Sequence, residues 1–160
     1  LHLVQWHHTP ETAALPTQAW LRLRLLHLAY GLIAKMAPRR SRAALLPLAA
    51  TKSLVQGMTP DTAELRSAMA AVLGFYPPGS YVQLANGETA VVIRRGLRAT
   101  TPHVACIVNA SGMPLANYIY HDTGNTALPQ YLVLSPVASS AVKVRVNLEK
   151  VRRLRQQHGV

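Results

Sequence analysis

The chain is short of acid, of cysteine and of aromatic rings, and each shortage closes off some chemistry. Six Asp and Glu stand against seventeen Lys and Arg in 160 residues, a formal charge of +11. Glu11 is the sole carboxylate among the first 60 residues. That stretch cannot supply by itself the anionic ligands that a two-metal hydrolytic centre gathers around an open coordination position. A single cysteine, Cys106, excludes an intrachain disulfide and a four-cysteine zinc site, and it suits a reducing, cytoplasmic setting. Aromatic residues make up 6% of the chain, too few to interleave with the cations as base-stacking platforms, so nucleic acid is the disfavoured partner despite the charge. Arg22 and Arg24 interrupt the longest apolar run, "WLRLRLLHLAYGLIAKM", well below the ~18 to 20 uncharged residues of a membrane span. No basic stretch followed by an apolar run and a small-residue cleavage site opens the chain, and Leu1 in place of Met reads as the start of a fragment or a processed product.

What is present is enough to fold. Hydrophobic residues make up 49% of the chain, which predicts an ordered core of one domain, or one domain and part of another. The first half carries helical periodicity and the second reads as β-rich. Leu21, Leu25, Leu28 and Leu32, widened by Leu26, Tyr30 and Ile33, predict a helix over 17–36 with these residues on its apolar face. A second helix is expected over 42–55, shortened or bent at Pro47. A third opens with Thr59 as N-cap and Pro60 at its first position, with Leu65, Ala68, Met69, Val72 and Leu73 facing a core and Gly74 ending it.

From Tyr76 the pattern changes. "YPPGS" cannot continue a helix, and "SYVQLANGETAVVIRR" predicts a hairpin turning at Asn86-Gly87 with both residues at positive φ. Further strands are expected at 103–109, 117–121, 131–134 and 142–146, before "NLEKVRRLRQQ" forms a basic helix or frayed tail.

Two blocks resemble a known family. "LGFYPPGSYVQLANGETAVVIRRG" and "TPHVACIVNASGMPL" are similar to the region after the catalytic helices of HD-GYP-type proteins, bacterial phosphohydrolases of the HD superfamily, many of which cleave cyclic di-GMP. Upstream, "HHTPETAALP" sits where that family has His-His-Glu-x-x-Asp-Gly-x-Gly-Tyr-Pro. The resemblance runs from about Val4 to Asp122. It implies an α+β chain, the C-terminal helices of an HD-type all-α domain followed by a small antiparallel β module. The expected boundaries are a partial helical HD-GYP-like domain over 1–75, a β module over 76–146 and a basic tail over 147–160.

By the same resemblance His7 and His8 match metal-ligating histidines. Thr9 stands where the family has Glu, and Tyr30 where active members have a ligand Asp. The His-Asp pair that names the superfamily lies upstream of the matched region. The implied protein is therefore a degenerate HD-GYP-like signalling protein, non-catalytic as it stands, carrying a remnant of a metal site. No cofactor is expected in this segment, with iron or manganese confined to an intact parent. The alternatives are part of a metal-dependent phosphodiesterase acting on cyclic di-GMP or a related nucleotide, and a basic nucleic-acid-binding module. Expected partners are the upstream part of the same polypeptide and a nucleotide or signalling protein.

Other chemistry-bearing residues admit plainer readings. Arg39, Arg40 and Arg42 have the guanidinium forks that hold phosphate, or form a solvated basic turn. His27 reads as a packed helical histidine. His121-Asp122 carries the letters of an HD dyad, but in a β-prone segment before Thr-Gly, where a strand end with Asp122 bonded to nearby amides is expected. Cys106, between "VA" and "IV", reads as buried and inert.

Overall fold

The computed structural model describes residues 16–37, 45–56 and 60–160. The chain divides into a helical unit, Leu1–Leu45 with Ala49–Ala70, and a β unit, Leu46–Leu48 with Ala71–Val160. Among the described residues no helix is long and apolar enough to cross a membrane.

In the helical unit, α1 spans Thr17–Met36 and opens after Pro16, whose carbonyl accepts from the Trp20 amide at 2.9 Å. Helix α2, Pro47–Val55, begins on its proline, the position where a missing amide costs nothing. Pro47 is thus a start rather than a bend. Lys35 Nζ donates to Ser53 Oγ at 2.8 Å, and Ser53 Oγ donates to the Ala50 carbonyl at 2.7 Å, which ties the end of α1 to α2. Helix α3 spans Pro60–Leu73 and stops before Gly74.

The expected apolar stripe of α1 is buried only in its second half. Leu28 and Leu32 are buried, but Leu21 and Leu25 are each 46% exposed, and the residue fully withdrawn from solvent is Leu23, on the other side of the helix. On α3, Val72 is exposed and none of Leu65, Ala68 or Met69 is fully buried. Periodicity identified which positions are apolar, not which are covered.

The β unit is a five-stranded antiparallel sheet in the order β4-β3-β2-β1-β5, with β1 Tyr81–Leu84, β2 Thr89–Arg94, β3 His103–Val108, β4 Pro114–Asp122 and β5 Val133–Val137. Four strands run as a meander and the fifth returns to pair with the first. The β1–β2 turn differs from the expected two-residue form: Gly87 alone takes positive φ, at 87°. The Gly87 amide donates to the Leu84 carbonyl and the Leu84 amide to the Glu88 carbonyl, both at 2.9 Å, so a three-residue loop with glycine in the left-handed position closes the hairpin. Asn86 instead uses its side chain, Oδ1 accepting from the Glu88 amide at 3.1 Å. At the next turn Asn109 Oδ1 accepts from the amides of Ser111 and Met113.

Alternation along the strands builds two apolar clusters, one on each face. Val82, Leu84, Ala90, Val92, Val104 and Cys106 form one. Val91, Ile93, Ala105, Ile107 and Leu154 form the other. Because β2 and β3 are covered on both sides, they read as nearly unbroken apolar runs.

Leu154 comes from α4, Leu148–His158, which packs on the sheet. Asn147 caps it by accepting from the Glu149 and Lys150 amides, while its own amide donates to Tyr118 Oη at 2.9 Å. Val142–Val146 is not a strand. Val142 and Val146 instead pack against the second cluster as the chain crosses to α4.

These facts correct the expected architecture, the end of an HD-type all-α domain followed by a small β module. The structure has one five-stranded antiparallel sheet and, among the described residues, four helices, three before the sheet and one after it. Much of the apolar surface of the helices is open, whereas the two sheet clusters hold most of the buried side chains.

Candidate functional site

On the first face of the sheet, three side chains of metal-ligating type come together. Glu88 leaves the β1–β2 turn one residue before β2, Cys106 lies in β3 opposite Ala90, and His121 lies in β4 opposite Val104. Since Val104 and Cys106 are two apart on one strand, their side chains share a face, and His121 reaches Cys106 on the diagonal. One donor atom from each of Glu88, Cys106 and His121 lies within 4.8 Å of the other two. Among the described residues this is the group that could hold a metal ion.

The electrostatics of the group are set by burial. Cys106 is fully buried. Desolvation, then the Glu88 charge and a hydrogen bond with its carboxylate, hold the thiol far above its ordinary range. A protonated, inaccessible thiol is no nucleophile, which agrees with the inert reading of this residue. His121 is pushed the other way: burial lowers its pKa, and the Glu88 carboxylate opposes that in part. The ring is fixed by stacking on Tyr131, with centroids 3.5 Å apart and planes at 17°. Glu88 Oε2 is buried and has no hydrogen-bond partner.

The opposite face carries a different arrangement. His103 Nδ1 lies 2.7 Å from Tyr120 Oη and 3.9 Å from Asp122 Oδ1. The Tyr120 ring stacks on His158 of α4 with centroids 4.1 Å apart. Burial chiefly, and then the Asp122 charge, raise the Tyr120 phenol, while Arg94 opposes them. Arg94 Nη1 in turn donates to the Gly159 carbonyl at 3.3 Å. This network fastens α4 to the sheet edge.

The His121-Asp122 pair is thereby divided. His121 belongs to the Glu88 and Cys106 face, whereas Asp122 pairs with His103 and accepts from the Gly124 amide at 2.9 Å. Adjacent strand residues point to opposite faces, so the two letters of the dyad cannot converge on one ion. Asp122 ends a strand and closes a turn. His121 lies at the strand end as expected and also meets partners that sequence order keeps far apart.

His7, His8, Arg39, Arg40 and Arg42 lie outside the described residues. Tyr30 lies on α1, 44% exposed, and His27 is half-buried on the same helix. On α4, Arg152 and Arg155 line an open groove together with Leu148, Val151 and Val160. Glu88 was not singled out by the sequence. Its signal was the Asn-Gly turn, which fixes the register and places Glu88 beside the strand that carries Ala90 opposite Cys106. Comparison with protein-family models, curated proteins and solved structures gave no significant match to this chain.

Proposed function

We propose that this chain is part of a degenerate HD-GYP-like bacterial signalling protein, and that it acts by interaction rather than by hydrolysis. The observation that carries the reading is the donor set. "HHTPETAALP" keeps the two histidines of the family's motif, yet Glu11 is the only carboxylate in the first 60 residues and Tyr30 occupies the place of a ligand aspartate. A dinuclear centre needs carboxylates bridging or flanking its cations, and a half-exposed phenol on α1 does not replace one. The residues present do not fit the iron or manganese pair of the active family. The kinship rests on sequence blocks, "LGFYPPGSYVQLANGETAVVIRRG" above all, which supply the turn and two strands of the sheet.

The test is turnover of cyclic di-GMP by the purified chain with manganese or iron(II), alongside the His7→Ala plus His8→Ala variant. The reading expects background rates from both. Metal-dependent hydrolysis that the double substitution abolishes would establish the phosphodiesterase alternative. Binding to arbitrary RNA or DNA that weakens steeply with salt would favour the nucleic-acid module instead.

A further inference from the structure

We infer that Glu88, Cys106 and His121 form a site for one divalent transition-metal ion of the zinc class, clipping the β1–β2 turn to strands β3 and β4. The inference does not depend on the family relationship proposed above, and it departs from the expectation that this segment carries no cofactor.

The donor set selects the ion. A sulfur, an imidazole nitrogen and a carboxylate oxygen suit zinc or cobalt(II), whereas magnesium and calcium take oxygen shells and are poorly served by thiolate. The three residues sit on three consecutive stretches of the sheet, and their donors already lie within 4.8 Å of one another. Bonds of roughly 2.0–2.3 Å to a tetrahedral ion bring donors to roughly 3–4 Å apart, so closure needs about 1 Å of movement. Cys106 is locked in the core and His121 is held against Tyr131, but Glu88 is only partly buried, at the edge of a turn, and can swing inward.

The second observation is the orphaned oxygen. Glu88 Oε2 is withdrawn from water without a hydrogen-bond partner, and buried polar atoms of this kind call for an explanation such as an ion. A cation between Glu88 and Cys106 satisfies it. Tyr131, stacked on His121, holds the imidazole in place and so limits the ordering needed on binding. Coordination converts the Cys106 thiol to thiolate and releases its proton to solvent. Three protein ligands leave a fourth position for water or for a donor from a partner.

The experiment is a cobalt(II) titration of the full chain carrying His7→Ala and His8→Ala, so that the N-terminal pair cannot contribute. One cobalt per chain is expected, with a thiolate-to-cobalt charge-transfer band that zinc displaces, and saturating zinc raises Tm. Cys106→Ala abolishes the band, and Glu88→Gln weakens affinity at least about tenfold. A folded chain that shows no such band overturns the site, as does uptake unchanged by Cys106→Ala. Should Cys106→Ala fail to fold, Glu88→Gln and His121→Phe decide: affinity equal to the parent's in both overturns the site.

Discussion

The helical unit and the β unit use apolar residues in different ways. In the β unit, hairpin turns fix the register, and alternation then sends the buried side chains of β2 and β3 in turn to one cluster and the other. In the helical unit, α1 carries six leucines, yet burial among its apolar residues runs from complete at Leu23 to 35% at Ile33, which is 65% exposed. A strand's neighbours are set by its ladder, whereas a helix satisfies its own backbone and leaves its coverage to whatever packs against it. Apolar pattern therefore foretells contact in the sheet far better than on the helices.

Substitutions can sharpen or break that contrast. The largest effect is expected for Ile107→Ala, which empties a fully buried position of the second cluster. It should lower stability by about 3 kcal/mol in urea unfolding. Gly96→Ala should follow, at about 2 kcal/mol or more, because a Cβ there would lie 1.6 Å from the Thr101 carbonyl oxygen and the backbone must shift. Asn147→Ala removes the cap of α4 and should cost about 1 kcal/mol, with faster amide exchange over Leu148–His158 as its local signature. Leu25→Ala, on the half-exposed face of α1, should change stability by no more than about 0.5 kcal/mol. A cost near that of Ile107→Ala would remove the distinction between the units.

Two groups of the β unit should shape the pH response. Cys106 titrates higher in the fold than its ordinary 9.0. The unfolded chain therefore loses that proton first, and stability that is complete below pH 9 falls as the pH rises above it. His121 titrates lower than its ordinary 6.5, so the unfolded chain gains that proton first and stability falls as the pH drops below about 6.5. In metal-free protein, urea midpoints across pH should decline on both sides. Cys106→Ala should flatten the onset of the alkaline decline, and an unchanged profile would contradict the assignment.

How far the sequence could be read follows from these forces. The hairpin at Asn86-Gly87, the helix over 17–36 and the Asp122 turn were visible because each is specified by residues within a few positions of one another. The coverage of α1, the antiparallel return of β5 to β1 and the non-strand course of Val142–Val146 depend on distant packing, which no local window contains. Cys106 could be recognised as buried from its apolar flanks. Its meeting with Glu88 and His121 could not, because three strands must first pair in one register before those side chains share a face.

X-ray absorption at the zinc edge of the zinc-loaded full chain tests most directly whether the metal chemistry of this molecule lies in its sheet. A Glu88, Cys106 and His121 centre predicts one sulfur neighbour at about 2.3 Å with the remaining neighbours nitrogen and oxygen. A shell made only of nitrogen and oxygen would place the ion elsewhere and contradict it.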